Sequence, residues 1–269
     1  IEGDIRKFSD CQKIISDVHY VLHLAALGSV PRSINDPITT NENNVSGFLN
    51  MIVAAKDEGV ESFTYASSSS IYGDNFALPK VEENIGKPLS PYALTKQANE
   101  FYANVFYNTY GFKTIGIRYF NVFGRRQDPN GPYAAVIPLF LNKLLNNESP
   151  TINGDGLFSR DFTYIDNVIN MNILALTVNQ ENAINQIYNT AVGEKITLNL
   201  MVNTLIKHLS KYNSKINEIT INYGPKRLGD IPHSMASIEK AKYLLKYNPS
   251  HNFEQGIEEY IKWYMENNN

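Results

Sequence analysis

The chain has 269 residues, of which 43% are hydrophobic and 19% are charged, and this composition excludes an intrinsically disordered protein. Its formal net charge of −3 argues against a general nucleic-acid binder, because neutralising phosphates requires a basic excess. The single cysteine, Cys11, cannot form an internal disulfide, and no cysteine and histidine cluster has zinc-site spacing, so we expect no metal.

The sequence contains no recognisable targeting or membrane-spanning segment. Its longest apolar runs, such as residues 136–141, are far too short to cross a bilayer, so we expect no membrane partner. Without a recognisable secretion signal, we expect a reducing, cytoplasmic location. The chain begins at Ile1 and is already in an ordered pattern within a few residues. We therefore expect the start of the native domain to be missing.

Strands and helices alternate through the first half of the chain. Residues 19–26 form a short apolar run that ends in small side chains, as in a buried strand. Further strands are predicted at 63–67 and 114–120. Helices are predicted at 44–56 and 91–110, and Gly59 and Gly111 mark their ends. Strands separated by helices of this length predict right-handed β-α-β units in a parallel sheet covered on both faces.

The pattern loosens into shorter elements after about residue 123. A loop over 124–133 precedes a helix that ends near residue 145. The remaining predicted elements are strands at 151–152 and 187–189 and helices at 165–176, 198–209, 238–245 and 253–265. We interpret this half as a smaller α/β lobe packed on the sheet domain.

A tyrosine and a lysine lie four residues apart on the predicted helix 91–110. This spacing puts Tyr92 and Lys96 on one helical face, within side-chain reach. One cation about 4 Å away, at an effective dielectric near 20, supplies about 4 kcal/mol. That is enough to lower a tyrosine pKa from about 10 to near 7, so the pair is a candidate general base. The alternative is a surface lysine beside a packed tyrosine, since this spacing is common by chance.

Two predicted strands end in residues that suit a ligand crevice. Four hydroxyls in a row, at 67–70, lie at the end of the strand 63–67, and the small residues Leu24-Ala25-Ala26 end the first strand. The carboxyl ends of parallel strands face the crevice where α/β sheets bind ligands. A serine there could pass a proton between a ligand hydroxyl and Tyr92. Taken alone, the serines are at least as well interpreted as an ordinary polar turn. The small residues 24–26, taken alone, are equally well explained by close helix–strand packing.

The order of these features, together with neighbouring motifs, is typical of a known family. The motifs are Gly3-Asp4-Ile5-Arg6, His23-Leu24-Ala25-Ala26, Asn43-Asn44-Val45, Ser90-Pro91-Tyr92 through Lys96, and residues 118–124, 160–166 and 227–230. The chain resembles the extended short-chain dehydrogenase/reductases, and among these the nucleotide-sugar epimerases of the NAD-dependent epimerase/dehydratase family. The resemblance covers essentially the whole chain. Residues 27–33 look most like the branch that acts on UDP-N-acetylhexosamines.

The resemblance implies a Rossmann-like, doubly wound parallel sheet that lacks its first β-α-β piece. Residues 1–123 would form the partial NAD-binding domain, with some later segments returning to it, and residues 124–269 mainly the nucleotide-sugar lobe. The family's G-x-x-G-x-x-G motif, which would hold the NAD pyrophosphate, is absent. The only G-x-G stretch, Gly154-Asp155-Gly156, is better interpreted as a turn. We therefore expect a fragment of the enzyme.

The resemblance also implies roles for residues around NAD. Tyr92 would be the base, Lys96 would contact the nicotinamide ribose and tune Tyr92, and Ser68 would be the hydroxyl relay. The remaining residues expected near the cofactor are Asp4 and Ile5 beside the adenine, Leu24, Ala25 and Ala26 along the NAD backbone with Asn44 nearby, and Tyr119 packed close to it.

A further set of residues is implied for the substrate, a UDP-sugar. Ser69 would touch the sugar, with Ser29 and Arg32 near the hexose. Asn121, Arg160 and Arg227 would contact the diphosphate and uridine, with Asp230 on the uridine ribose side. Arginine suits this role because it pairs with phosphate oxygens in a bidentate way, and a surface ion pair is the alternative. Ser234 would leave room for an N-acetyl group. The alternative is that Ser234 is an ordinary loop residue with no role in binding.

The type of reaction follows from what related 4,6-dehydratases carry. Those enzymes have Asp and Glu directly after the position of Ser68, where this chain has Ser69 and Ser70. A hydroxyl cannot replace a carboxylic acid and carboxylate pair at pH 7, so dehydration is disfavoured. The expected reaction is epimerisation at C4 of the sugar. UDP-GlcNAc and UDP-GalNAc are the preferred substrate candidates, and UDP-glucose is the next candidate.

Two alternatives stay open at this point. One is a net nucleotide-sugar oxidoreductase, and the other is a non-catalytic nucleotide-binding module, which the absent glycine motif favours. Family likeness further implies a homodimer formed through helices 44–56 and 91–110.

Overall fold

The chain folds into alternating strands and helices, as its sequence predicts. The computed structural model describes residues 1–128, 135–226 and 231–267. The strands are β1 (Tyr20–His23), β2 (Ser62–Ser68), β3 (Thr114–Tyr119), β4 (Val122–Phe123), β5 (Thr151–Asn153), β6 (Ser159–Arg160), β7 (Thr163–Tyr164), β8 (Gln186–Thr190), β9 (Ile196–Thr197) and β10 (Asn222–Gly224). The helices are α1 (Phe8–Ile15), α2 (Val30–Asn35), α3 (Pro37–Asn41), α4 (Gly47–Glu58), α5 (Pro91–Tyr110), α6 (Val136–Leu145), α7 (Ile165–Thr177), α8 (Leu198–Leu209), α9 (Glu239–Leu245) and α10 (Phe253–Asn267).

A parallel sheet in the order β1-β2-β3-β8 forms the centre of the protein. Ser68 at the end of β2 pairs with Tyr119 at the end of β3, so the carboxyl ends of these strands lie at one edge. The Rossmann-like parallel α/β fold class is thereby confirmed. β1 has four residues, which is shorter than the strand expected at 19–26. It stops at His23, and residues 24–29 form a loop at that edge.

The two faces of the sheet are covered by different helices. Phe63 and Tyr65 of β2 pack with residues of α1, α4 and α5 in one hydrophobic cluster. Ile115 and Ile117 of β3 pair with Thr64 and Ala66, so they point to the opposite face, where they cluster with residues of α7 and α9. Both faces are therefore buried, and β2 and β3 direct their large apolar side chains into the two clusters.

Local chemistry sets the limits of α5, the helix that carries Tyr92. Ser90 accepts a hydrogen bond from the backbone N–H of Ala93 at 3.1 Å, and Pro91 occupies the first helical position. At the other end, Gly111 takes a left-handed conformation with φ 66°, which glycine adopts without strain. The predicted helix at 91–110 is confirmed at both ends.

The helix predicted at 44–56 starts earlier than its apolar stripe suggests. The carboxylate of Asp36 accepts the backbone N–H of Thr39 at 3.1 Å and caps α3. A π-helical segment, Glu42–Ser46, then joins α3 to α4, and Gly59, with φ 79°, ends α4. Helical structure is therefore continuous from Pro37, and the predicted start at residue 44 was wrong. Residues 39–43 are polar and give no hydrophobic signal.

A second hydrophobic core is formed by residues that follow position 123. Its members come mainly from α6, α8 and α10, among them Leu141, Leu205 and Ile257. β8 nevertheless lies in the central sheet, and α7 and α9 pack against it. The division into residues 1–123 and 124–269 stays a prediction. Within the three described ranges, no helix combines the length and the apolar character that a membrane span needs.

Candidate active site

Tyr92 and Ser68 meet at the carboxyl edge of the sheet. Tyr92 lies in the first turn of α5, and Ser68 is the last residue of β2. The serine hydroxyl lies within hydrogen-bonding reach of the phenol. The structure therefore brings the predicted base and the predicted relay together, in the crevice where parallel sheets bind ligands.

Lys96 lies one turn further along α5, on the same face as Tyr92. Its side chain is only 3% exposed, and its Nζ donates to the carbonyl oxygen of Ala66 on β2 at 2.8 Å. Burial lowers the pKa of this ammonium from its usual value to about 8. Lys96 is thus mostly charged at neutral pH and loses its charge in mildly alkaline solution.

The pKa of Tyr92 differs from the sequence-based expectation. Burial raises the pKa of the phenol, and the hydrogen bond from Ser68 works in the opposite direction. The expectation that a neighbouring ammonium brings this phenol near pH 7 is therefore not met by the chain's own residues. The expectation counted the charge of Lys96 but left out the cost of removing the phenolate from water.

Glu100 continues the same face of α5 and was missed in the sequence analysis. Its carboxylate accepts from the hydroxyl of Ser67 at 2.6 Å and from the guanidinium of Arg118 at 2.8 and 2.9 Å. Glu100 and Arg118 are 8% and 3% exposed, so this is a buried ion pair. The spacing of four residues from Tyr92 to Lys96 to Glu100 is the sequence signal that could have found it.

The α5 residues at this spacing contact the last three residues of β2, although not in the order of the strand. Tyr92 contacts Ser68, Lys96 contacts Ala66, and Glu100 contacts Ser67. We name this set of contacts the α5–β2 ladder. It fixes the position of α5 along β2 and so holds the phenol against the serine hydroxyl.

His23 ends β1 beside this ladder and is uncharged. Its ring stacks on Phe63 and meets Phe48 edge-on. Burial, with the nearby charge of Lys96, lowers the pKa of His23 to about 3. Leu24 and Ala25 follow as exposed residues and Ala26 is half-buried, which places the predicted NAD-lining stretch at the edge of the crevice.

Asn44 is buried in the π-helical segment, and its polar atoms bind the protein itself. Its side chain accepts from the backbone N–H of Leu27 at 2.7 Å and donates to the carbonyl oxygen of Leu27 at 3.1 Å. It also donates to the hydroxyl of Thr95 at 3.2 Å, and that hydroxyl donates to the carbonyl oxygen of Tyr92. Asn44 thereby ties the loop after β1 to the first turn of α5.

The other residues predicted to bind NAD occupy separate places. Asp4 accepts from the guanidinium of Arg6, which lowers the pKa of its carboxyl to about 2. Ile5 packs against Gly47 at the start of α4, where a Cβ would lie 2.5 Å from its Cδ1. Tyr119, at the end of β3, donates its hydroxyl proton to Asn172 of α7 at 2.6 Å.

Ser29 and Arg32 lie in the loop and helix that follow β1. Ser29 has φ 139°, a conformation that L-residues rarely adopt, and its hydroxyl accepts from the backbone N–H of Arg32 at 3.2 Å to cap α2. Ser69 begins the 3-10 turn Ser69–Tyr72 directly after Ser68. These positions place the predicted hexose contacts around the same edge of the sheet.

The residues predicted for the diphosphate and uridine come from distant parts of the chain. Asn121, with φ 26°, follows β3 and lines a cavity of 230 Å³ with Phe162 and residues 135–137 at the start of α6. Arg160 donates to the carbonyl oxygens of Ser159 and Pro232. Arg227 and Asp230 lie outside the described residues.

Asp161, next to Arg160, was missed and holds this part of the site together. Its buried carboxylate accepts backbone N–H groups from Val192, Gly193 and Ala236 at 3.0–3.1 Å. Ser234 donates its backbone N–H to the carbonyl oxygen of Ser159 at 3.1 Å. Burial raises the pKa of Asp161 to about 6, against the effect of these N–H groups. We name residues 159–161 and 232–236 the nucleotide-side cluster.

A cavity of 440 Å³ lies at the other end of the sheet, away from these residues. It is lined by Tyr20, Ser62, Thr114 and residues 110–113, which mark the amino ends of β1, β2 and β3. Its place in the fold separates it from Tyr92 and Lys96, so its size does not make it the reaction site.

Comparisons with known proteins bear on the family and the fold of this chain. A model of the NAD dependent epimerase/dehydratase family matches residues 1–191. A UDP-glucuronate 4-epimerase from Thermodesulfobacterium geofontis is 31% identical over 98% of this chain and 78% of its own length. The structure of UDP-N-acetylglucosamine 4-epimerase from Methanobrevibacter ruminantium M1, in complex with UDP-N-acetylmuramic acid, is 38% identical with a TM-score of 0.90, covering 99% of this chain and 82% of that one. The structure of UDP-glucose 4-epimerase from Thermotoga maritima, with UDP-glucose, is 31% identical with a TM-score of 0.92. The match covers 100% of this chain and 85% of that one.

Proposed function

Since the chain belongs to the NAD-dependent epimerase/dehydratase family, a family of enzymes, we propose that it catalyses epimerisation of a UDP-hexose at C4. The observation that carries this proposal is the phenol of Tyr92 within hydrogen-bonding reach of Ser68, with Lys96 buried one turn along the same helix face. This is an acid–base pair at the edge of the sheet where ligands bind.

The described residues fit the nicotinamide end of NAD, the cofactor of the family. Lys96 is an ammonium with three donors, of which the carbonyl of Ala66 takes one, so a ribose hydroxyl can accept another. The small Ala25 and Ala26 leave space for close approach to the end of β1. The chemistry supplied by bound NAD is reversible acceptance of hydride from C4.

The chain's own residues manage the proton of the C4 hydroxyl. Tyr92, as phenolate, takes this proton while C4 becomes a ketone, and it returns the proton when the carbinol re-forms on the opposite face. Ser68 donates a hydrogen bond to the phenolate, and Lys96 supplies positive charge nearby. Because the proton and hydride both return, the sugar leaves with no net oxidation.

The residues after Ser68 argue against dehydration. Ser69 and Ser70 begin the 3-10 turn that follows β2. Neither hydroxyl is acidic enough to protonate a leaving group or basic enough to remove a C5 proton at pH 7. The reaction that these residues support ends with the ketone and the return of hydride.

UDP-GlcNAc and UDP-GalNAc are the proposed substrates, with UDP-glucose as the second candidate. Ser234 is small and half-buried at the nucleotide-side cluster, which suits an N-acetyl group. The 38% identity to a UDP-N-acetylglucosamine 4-epimerase structure supports the first choice, and the 31% identity to a UDP-glucose 4-epimerase structure supports the second.

Product analysis of the full-length protein tests the proposal. UDP-GlcNAc, UDP-glucose and UDP-glucuronate are incubated separately with NAD, and the products are separated by chromatography and identified by NMR. We expect the C4 epimer of UDP-GlcNAc as the main product, without accumulation of NADH. Steady NADH formation would instead identify a net oxidoreductase, and binding of UDP without any turnover would identify a non-catalytic module.

Tyr92→Phe is the matched variant for this experiment. It removes one oxygen atom from the site, so we expect turnover to be abolished while UDP binding stays close to that of the wild type. Turnover that survives this substitution would show that Tyr92 is not the base.

We also propose that the protein is a homodimer that pairs through α4 and α5. Leu94, Phe101 and Val105 form an apolar stripe on α5 and are 57%, 62% and 52% exposed. Their spacing puts them on one face of the helix, and a second copy offers the same stripe. Sedimentation velocity should show a dimer that Phe101→Glu dissociates and that Tyr243→Glu, at an exposed aromatic outside the stripe, leaves intact. A monomeric wild type would contradict the proposal.

A further inference from the structure

Ser68 has a second hydroxyl neighbour besides Tyr92. The backbone N–H of Ser70 donates to the Oγ of Ser68 at 3.2 Å, and the Oγ atoms of Ser70 and Ser68 are 3.0 Å apart. Ser68 also lies within hydrogen-bonding reach of the phenol of Tyr92. The three hydroxyls therefore form a chain, Ser70–Ser68–Tyr92, that leads into the candidate active site.

The bonding capacity of Ser68 decides the direction of this chain. A serine hydroxyl has one proton to donate and two lone pairs with which to accept. One lone pair of Ser68 is used by the N–H of Ser70, which can only donate. When Tyr92 is a phenolate it can only accept, so Ser68 must give it its single proton. The hydroxyl of Ser70 is then the donor to the second lone pair of Ser68.

We propose that Ser70 is a positioning residue for the reaction of Tyr92. Its N–H and its hydroxyl together occupy both acceptor sites of Ser68 and so aim the Ser68 proton at the phenolate. This inference rests on the proposed function, because it concerns the state in which Tyr92 acts as a base. Ser70 acts through Ser68 and touches neither substrate nor cofactor in this assignment.

The fold holds Ser70 in place for this task. The 3-10 turn Ser69–Tyr72 follows β2 directly, and Ser68 is its N-terminal cap. Ile71 and Tyr72 anchor the turn in the core at 0% and 1% exposure, and the hydroxyl of Tyr72 donates to Asn189 at 2.6 Å. The half-buried Ser70 thus points its hydroxyl at Ser68 from a fixed backbone.

Hydrogen bonds in a chain polarise one another, so removing the outer donor weakens the inner bond. Ser70→Ala keeps the backbone N–H and deletes the hydroxyl. The bond from Ser68 to the phenolate then loses its support, and the phenolate becomes less favourable relative to the phenol. Ser70→Thr keeps the hydroxyl, and Ser70→Val has nearly the shape of threonine without it, so these two variants separate the hydroxyl from side-chain size.

The test uses the full-length protein with two measurements. The first is NMR of protein labelled with ¹³C at the tyrosine Cζ, in which the Tyr92 signal is the one absent from Tyr92→Phe. This gives the titration midpoint of Tyr92 without any turnover. The second is the pH profile of kcat/KM for the UDP-sugar.

We expect the Tyr92 midpoint to rise by about half a pH unit in Ser70→Ala and Ser70→Val and to stay at the wild-type value in Ser70→Thr. The acidic limb of kcat/KM should move the same way, with KM unchanged. Equal midpoints in wild type, Ala and Val would overturn the inference, as would an equal shift in all three variants. If no UDP-sugar is turned over, the proposed function fails, whereas the NMR titration still decides the role of Ser70.

Discussion

The α5–β2 ladder and the nucleotide-side cluster build their sites in different ways. In the ladder, side chains spaced four residues apart on one helix contact the last three residues of the adjacent strand. In the cluster, one carboxylate gathers main-chain N–H groups that lie 31 to 75 residues away in sequence. The first arrangement depends on helical periodicity, and the second depends on how distant segments meet. Side-chain substitutions should therefore affect chemistry in the ladder, and nucleotide binding and stability in the cluster.

Lys96→Met gives the largest effect expected from the ladder. Methionine fills a similar volume without charge, so Tyr92 loses its nearby cation and kcat should fall about 10²- to 10⁴-fold. The free energy of unfolding should stay level or rise, because burial of this ammonium opposes folding. Turnover kinetics and urea unfolding measure the two effects. A variant that is strongly destabilised would show that Lys96 is structural.

Glu100→Ala tests whether the ladder depends on its buried ion pair. Removing the carboxylate leaves Arg118 charged and buried, so the free energy of unfolding should fall by about 3–5 kcal/mol. The control is Glu258→Ala, which breaks the exposed ion pair with Lys211 and should change little. Urea unfolding of both variants measures the difference. Equal effects would mean that Glu100 does no more than a surface carboxylate.

The ladder region was largely predictable from sequence, whereas the cluster was not. Tyr92, Lys96 and the limits of α5 follow from helical spacing, a proline start and a glycine end. Glu100 continues that spacing, but a glutamate beside a tyrosine and lysine pair has no obvious chemical use in the sequence alone. The pKa of Tyr92 was misjudged because burial cannot be read from spacing. Strands such as β6 and β9 are two residues long, and they exist only through pairing with distant partners.

Asp161 could not have been found in the same way. Its neighbour Arg160 was identified through family resemblance, and a single aspartate shows no periodic pattern. Its importance comes from backbone groups of residues 192, 193 and 236, which only the folded chain brings together. Signals of this kind lie in tertiary contacts and not in the local sequence.

Asp161→Ala is the matching substitution in the nucleotide-side cluster. At least three buried N–H groups lose their acceptor, so the free energy of unfolding should fall by about 3 kcal/mol. UDP binding should weaken, because the segment that carries Ser234 is released from Ser159 and Arg160. Calorimetry with UDP and urea unfolding measure both. The control is Asp155→Ala, an exposed carboxylate in the nearby turn. Unchanged UDP affinity would remove Asp161 from the site.

The smallest expected effect, a change with pH, separates the two regions without any substitution. Lys96 has a pKa of about 8 in the folded protein, below its ordinary value, so its charge is lost as pH rises through 8. Above that pH, the increase in kcat/KM that ionisation of Tyr92 would otherwise give should level off, since the cation beside Tyr92 disappears. His23 adds nothing in this range, because its pKa of about 3 keeps it neutral.

Stability should rise over the same pH range. The unfolded chain binds the lysine proton more tightly than the folded one, so the contribution of Lys96 to the free energy of unfolding rises between about pH 8 and pH 10. Lys96→Met should lack this rise when the two proteins are compared by urea unfolding at each pH. UDP binding, which we propose depends on the nucleotide-side cluster, should show no limb near pH 8. A common limb in UDP affinity and in kcat/KM would mean that the two regions titrate together, and the distinction between them would be lost.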